Sequence, residues 1–228
     1  MMKVEIPGRV LKFDASHRHV IAIDPDVDKS GLAILDVDDK KFIYMGTEDI
    51  VSMYGFFEYV HCSKGFVCNS VVVIEDSDNL HNWHLPPHCS LNMAAAIGKK
   101  VGLCHATQRH IKEIAEAHGH KTVFQAPLKK TWMGKDGKIT QEELEQFIPD
   151  FPKKSNQEIR DSVLLAWCYA NLPIHIPANF YVERAKKEFE AKVRFEERFL
   201  MKAKGIQPDK DGKYHPGGIL EQIKQAKK

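Results

Sequence analysis

The sequence predicts a mixed α/β domain, one five-stranded sheet flanked by helices, followed by a charged helical C-terminal appendage. Three observations carry that expectation. Short apolar runs of strand length alternate with longer stretches at helical spacing. The first three runs are joined by brief turn segments that suit antiparallel hairpins, whereas the last two are separated by helical stretches that suit parallel additions. Beyond Ile176 the composition shifts to a long, highly charged stretch with a thin apolar stripe.

Taken in order, HVIAID (His19 to Asp24), GLAILDV (Gly31 to Val37) and KFIYMGT (Lys41 to Thr47) read as the first three strands, with PDVDKS and DDK as the turns between them. DIVSMYGFFEYVHC (Asp49 to Cys62) reads as a helix with Ile50, Tyr54, Phe57 and either Val60 or His61 on its apolar side. SVVVIED (Ser70 to Asp76), with three successive valines, reads as a strand buried on both faces. From Ser90 to His118 the spacing is helical, and the small residues of MAAAIGKKVG suit close packing. KTVFQAP (Lys121 to Pro127) reads as the fifth strand, stopped by Pro127. Leu128 to Ser155 is Lys- and Gly-rich and reads as a surface excursion with a helical piece around Thr140 to Phe147. Ser155 opens the helix NQEIRDSVLLAWCYAN, which Asn171 and Pro173 end. A boundary near Pro177 gives a domain over residues 1–177 and a basic appendage over 178–228.

The 228 residues suffice for one substantial core, and 43% hydrophobic with 28% charged residues excludes a wholly disordered or fibrous chain. No stretch reaches the roughly 20 apolar residues a membrane span requires, and MMKVEIPGRVLKF lacks the apolar centre of a signal peptide, so a cytoplasmic protein without a membrane partner is expected. Five scattered cysteines (Cys62, Cys68, Cys89, Cys104, Cys168) suit reduced thiols better than a disulfide framework. Basic residues outnumber acidic ones seven to two between Ser90 and Lys130, and thirteen to eight from Glu183 onward. That asymmetry admits an anionic partner such as nucleic acid; a solvated lysine-rich surface gives the same counts.

Four acids stand at element ends that one fold brings together. Asp24 closes the first strand, Glu75 the fourth, and Glu158 with Asp161 lies in the first turns of the late helix, where an i, i+3 pair faces one side. Each also has an ordinary explanation. Asp24 precedes a proline and suits a turn; Ser155 and Glu158 match a capping box; Asp161 complements a helix N-terminus. Glu75 is harder to explain away, because an acid directly after VVVI is costly to desolvate without a partner. Four converging carboxylates repel one another unless cations lie between them, and oxygen-only ligation suits Mg²⁺ or Mn²⁺.

Over roughly Val20 to Ala170, IAIDPDVDKSGLAIL, VVVIEDSDN and EIRDSVLLAWCYA resemble, in order and placement, the RuvC branch of the RNase H-like nucleases, whose Holliday junction resolvases cut branched DNA. The resemblance implies an RNase H-like sheet and a site for two divalent cations at Asp24, Glu75, Glu158 and Asp161. It also implies hydrolysis of phosphodiester bonds to 5′-phosphate products, and a homodimer whose two sites make paired cuts. Asp24 would bridge the ions, Glu75 would bind one or orient the water, and Glu158 with Asp161 would hold the second. Two positions depart from the family pattern: Asp26 stands where Gly is usual, and the helix pair begins with Glu158 rather than Asp.

Phosphate contacts are then expected from Lys99, Lys100, Arg109 and Lys112 on the long helix and from Lys129, Lys130, Lys135 and Lys138 in the excursion. Trp132 either stacks on a base or anchors its own loop. His81, His84, His88 and Cys89 cluster in HNWHLPPHC, but a structural zinc site normally draws on two separated ligand pairs, which this one loop does not supply. Two other readings share these residues: a non-catalytic nucleic-acid-binding protein on the same scaffold, and an RNA-processing nuclease. An RNase H-like ATPase would need a longer chain with repeated phosphate loops, which are absent.

Overall fold

The computed structural model describes residues 2–6, 9–76 and 85–203. The chain divides into two units, one ending at His175 and the other beginning at Ile176. In the first unit β1 (Met2–Ile6) and β2 (Arg9–Phe13) form an antiparallel pair of their own. The sequence reading assigned no strand there, although VEI and RVLKF flank the turn dipeptide Pro-Gly. Leu11 and Phe13 of β2 are buried in the core.

The main sheet runs in the order β5-β4-β3-β6-β7. Its strands are β3 (His19–Asp24), β4 (Ser30–Asp36), β5 (Lys41–Glu48), β6 (Ser70–Glu75) and β7 (Lys121–Gln125). β3, β4 and β5 form an antiparallel meander, and β6 and β7 are added parallel to β3. Short turns can close only antiparallel pairs, and the helical crossovers permit the parallel ones. This is the RNase H-like arrangement that the resemblance implied.

The period of two sorts the central strands between two cores. Ile21, Ile23, Leu32, Ile34, Val72 and Ile74 face one side, against α1 (Ile50–His61), α2 (Lys64–Cys68) and α3 (Leu91–Ala117). Val20, Ala22, Ala33, Leu35 and Val73 face the other, against α5 (Gln157–Tyr169) and the segment around α4 (Gln141–Leu144). Ala22 and Ala33 are register partners, so the smallest side chains of the central strands lie directly beneath α5.

Two helices differ from expectation. In α1, capped by Asp49 accepting from Ser52 N at 2.8 Å, the buried face is Met53, Phe56, Phe57 and Val60, while Ile50 and Tyr54 are exposed. The pattern admits both faces, and the two adjacent phenylalanines bring the larger apolar area to the core. In α3 only Gln108, Ile111 and Ala115 are buried, all in its C-terminal half; nothing lies within 4 Å of where a Cβ would project from Gly98 or Gly102. The two glycines of MAAAIGKKVG therefore serve no close approach among the described residues.

In the second unit α6 (Ala178–Ala203) carries i, i+4 ion pairs, Arg184 with Glu188 at 2.9 Å and Arg194 with Glu190 at 3.7 Å. Val182, Phe189, Phe195 and Phe199 on it are exposed. The rest of the appendage, 204–228, lies outside the described residues. Among the described residues no helix is long and apolar enough to cross a membrane.

Candidate functional site

Asp24 and Glu75 are the last residues of parallel neighbours whose preceding positions, Ile23 and Ile74, are in register, so the two acids leave the sheet side by side. Strand parity turns both toward the face that α5 covers. Across the antiparallel pair, Asp24 is opposite Gly31. A Cβ at Gly31 would lie 2.0 Å from the Glu158 carbonyl oxygen and 3.2 Å from Ser162 Cβ. The missing side chain thus lets the first turn of α5 rest on the strand, which carries Asp161 to the two strand-end acids. Asp24, Glu75 and Asp161 line one cavity of about 160 Å³ together with Lys138, Trp132 and Leu164.

Burial, then the charges of Glu75 and Asp161 and a hydrogen bond with Glu75, push the Asp24 carboxyl well above the usual carboxylate range, with Lys138 opposing them. Such a cluster needs a proton or a cation. Lys138 supplies part of the compensation, its Nζ donating to Asp161 Oδ2 at 2.7 Å. Burial pulls the Lys138 ammonium down, but the Asp161 hydrogen bond and the charges of Asp161, Asp24 and Glu158 outweigh it and leave it raised. Gln157 Nε2 donates to Asp161 Oδ1 at 2.7 Å and is itself held by Arg160 Nη2 donating to Gln157 Oε1 at 2.8 Å. Asp161 is therefore fixed through both oxygens. The acidic donors are all oxygens, which fits hard divalent cations such as Mg²⁺ or Mn²⁺.

Lys138 reaches the cavity because the excursion is a built loop. Gly134 N donates to Lys138 O at 2.9 Å and Trp132 N to Gly137 O at 3.0 Å. Gly137 has φ +73°, and a Cβ there would lie 2.5 Å from Lys130 O. Beneath the loop the fully buried Glu143 carboxylate accepts from Thr140 N and Thr140 Oγ1, each at 2.9 Å, and from Met133 N at 3.1 Å. The Trp132 ring stacks on Phe147, centroids 6.4 Å apart, so it anchors the loop while lining the cavity.

The remaining predicted residues are distributed as follows. Glu158 is half-buried and is not part of the cavity lining, though its charge acts on Lys138. The Ser155/Glu158 capping box does not form: Asn156 is the N-cap, accepting from Ile159 N at 2.9 Å, while Ser155 Oγ accepts from Arg160 Nη1 at 3.3 Å. Asn caps as well as Ser does, so adjacent candidates compete and the helix starts one residue later. Asp26, the departure from the family pattern, turns its carboxylate into its own loop and accepts from Asp28 N at 3.0 Å. Lys129 and Lys130 are exposed and line the same cavity as Asp24; Lys135 is exposed at the loop tip. Lys99, Lys100 and Arg109 are exposed on α3, and Lys112 pairs with Glu116 at 3.8 Å and lies over the Phe124 ring. His81 and His84 lie outside the described residues; His88 has φ +64° and Cys89 is a free thiol.

Sequence reasoning missed Gly31, Gln157 and Glu143, which position the acids and Lys138 without being acidic ligands themselves. It also missed a second group, His17, Asp36 and Asp38, whose ligand atoms lie within 4.8 Å of one another and which suits a metal ion. Their signal was a histidine and two turn-type aspartates around one hairpin, which reads first as turn chemistry.

No protein-family model matches the chain, and no curated protein matches it significantly. Solved structures similar to it include RuvC and other Holliday junction resolvases, at 12–14% identity. Thermus thermophilus RuvC in complex with a Holliday junction substrate is 12% identical, covering 68% of this chain and 95% of that one at a TM-score of 0.41. The fowlpox virus Holliday junction resolvase is 14% identical over 67% of this chain and 98% of that one, TM-score 0.36. The yeast mitochondrial resolvase is 12% identical over 68% and 79%, TM-score 0.32.

Proposed function

We propose that the protein is a divalent-metal-dependent endonuclease that hydrolyses phosphodiester bonds in branched DNA. The observation that carries this reading is that Asp24, Glu75 and Asp161 line one cavity, where burial and their mutual repulsion raise the Asp24 carboxyl and the Lys138 ammonium opposes the shift. Asp24, Glu75 and Asp161 would hold Mg²⁺ or Mn²⁺, with Glu158 at the rim. Cations bound there supply charge that lowers the pKa of an attacking water and stabilises the leaving 3′ oxygen.

Gln157 keeps the Asp161 carboxylate oriented. Lys138 offers its ammonium to a phosphate when the acids are otherwise neutralised, and Lys129, Lys130 and Lys135 beside it hold the strand through backbone contacts. The branched substrate follows from the sequence resemblance, as does a homodimer in which two sites make paired cuts. Residues 1–177 form the nuclease domain in this reading, and the basic appendage from 178 onward serves DNA or dimer contact.

The test incubates the protein and Mg²⁺ or Mn²⁺ with a four-way junction, a linear duplex and a structured RNA, beside Asp24→Asn and Asp161→Asn. Paired nicks in the junction alone are expected, with a rate loss of at least about 10³-fold, on the order of 4 kcal/mol, in either variant. Junction affinity should be unchanged, because the lysines are untouched. Variants that cut like the parent sink the site, binding without cutting by the parent favours the non-catalytic reading, and cutting of RNA alone sinks the substrate.

A further inference from the structure

We propose that the protein carries a second metal site, for a transition-metal ion of the zinc class, formed by His17, His19, Asp36 and Asp38 at the end of β3 opposite Asp24. This inference does not rest on the nuclease reading.

His19 is the decisive residue. It is register partner to Asp36 where the β3–β4 pair begins, and its side chain has no solvent exposure. Its ring is stacked on Phe66 at 4.7 Å and meets Phe13 edge-on at 5.7 Å, yet neither ring nitrogen has a hydrogen-bond partner. Leaving a buried polar group unsatisfied is costly, so such an imidazole calls for a ligand. His19 Nε2 faces Asp36 Oδ2 at 3.6 Å. That is too long for a hydrogen bond, but it is close to the roughly 3.3 Å that separates two ligand atoms each about 2.0 Å from a tetrahedral zinc ion.

His17, Asp36 and Asp38 offer ligand atoms that all lie within 4.8 Å of one another, and His19 faces this group through Asp36 Oδ2. Asp36 accepts from Asp38 N and Asp39 N through Oδ1, at 3.1 and 3.0 Å, and presents Oδ2 to His17 Nδ1 at 3.0 Å as well as to His19. Asp38 is held by Arg18 N, which donates to its Oδ2 at 2.9 Å. The Asp14 carboxylate lies 3.8 Å behind His17 Nε2, near enough to act on the ring by its charge but not to hydrogen-bond it. Two imidazoles with two carboxylates favour zinc, cobalt or nickel over magnesium, unlike the oxygen-only cluster at Asp24. Asp38 is exposed and borders a solvent-open cavity of about 350 Å³. Bound there, an ion would tie the segment before β3 to the β4–β5 turn.

The full-length protein, stripped with chelator and dialysed free of Mg²⁺, is titrated with Co²⁺ while visible absorption is recorded. One equivalent should develop the intense band of four-coordinate Co²⁺, and Zn²⁺ should displace it. The band should persist in the Asp24→Asn/Asp161→Asn double variant. In His17→Ala and in Asp38→Asn, whose side chains are at the surface and whose fold is checked by circular dichroism, affinity should fall at least about tenfold. A parent without the band, a band unchanged in both of these variants, or one lost in the double variant overturns the proposal. None of these outcomes depends on whether junction DNA is cut.

Discussion

The two ends of β3 gather polar groups by opposite routes. At the Asp24 end the carboxylates come from β3, β6 and α5, elements remote in the chain that only tertiary packing unites. At the His19 end, about 17 Å away along the strand, His17, His19, Asp36 and Asp38 flank a single hairpin, and local turn bonds hold them. Strand parity also puts Asp24 and His19 on opposite faces of the sheet. The difference teaches that the first cluster is vulnerable to anything that moves a helix, and that groups at the second end are vulnerable chiefly to protons. His120, buried at the head of β7 beside the first residue of β6, belongs to that second end, with Ser70 Oγ 3.0 Å from its Nδ1.

Gly31→Ala should separate the two ends most sharply. The added methyl meets the Glu158 carbonyl, α5 must lift at its N-terminus, and Asp161 moves away from Asp24. A displacement near 1 Å costs on the order of 10²-fold in rate, so junction cleavage should fall by about that factor while Co²⁺ binding at the His19 end is retained. Cleavage within threefold of the parent would show that the close approach of helix and strand does not set the geometry.

Glu143→Ala attacks the acid end through the loop that presents Lys138. Losing a fully buried carboxylate strands the Thr140 and Met133 amides and opens a cavity, for about 3–4 kcal/mol. Urea unfolding should report that loss, and trypsin should cut faster at Lys129, Lys130 and Lys135. Unchanged digestion would mean that the loop is held by Trp132 and the glycine turns instead.

Protons test the other end. Burial, followed by the charges of His118 and His61, lowers His120 to about 4. Its folded value lies below the unfolded one of about 6.5, so the unfolded chain takes up the proton first as pH falls. The contribution is fully present above pH 6.5 and is lost progressively toward pH 4, amounting to about 3 kcal/mol. Chemical denaturation between pH 4 and 7 should show that slope, and His120→Gln should flatten it; an equally steep variant would assign the slope elsewhere.

The smallest expected effect is at Lys138. Replacing it by Met removes the ammonium from among the carboxylates and should lower stability in chelator by about 1 kcal/mol, discounted for its partial exposure. Mg²⁺ should then raise the melting temperature of Lys138→Met more than that of the parent, because a bound cation replaces the lost charge. Equal shifts would show that ammonium and cation do not share the cavity.

Strand positions in the main sheet were legible almost to the residue, since runs such as HVIAID and SVVVIE leave little choice of boundary once both faces are covered, whereas the outlying β1–β2 pair was not read. The burial face of α1 was not, because Ile50 and Tyr54 compete with Met53 and Phe56 on equal spacing, and only the shape of the sheet decides. Asp24, Glu75 and Asp161 could be named from a family pattern, but which of the excursion's lysines bends inward depends on the turns at Gly134 and Gly137, and their tertiary consequence leaves no periodic mark. The role of Gly31 was hidden for the same reason: the sequence shows a small residue in a strand, and only the helix laid across it shows why nothing larger fits.

That helix also sets an order in time. α5 is the last element of the first unit to emerge during synthesis, and it brings Asp161 and Gln157 together with the apolar side chains that cover Ala22, Ala33 and Val73. Until then a nascent chain holds Asp24 and Glu75 without their third carboxylate, beside an apolar sheet face that the segment around α4 alone covers only in part and that chaperones and proteases recognise. Fragments ending before Gln157 should therefore be cleared as misfolded polypeptide, so that the acid cluster is complete only in chains that have also finished covering the sheet.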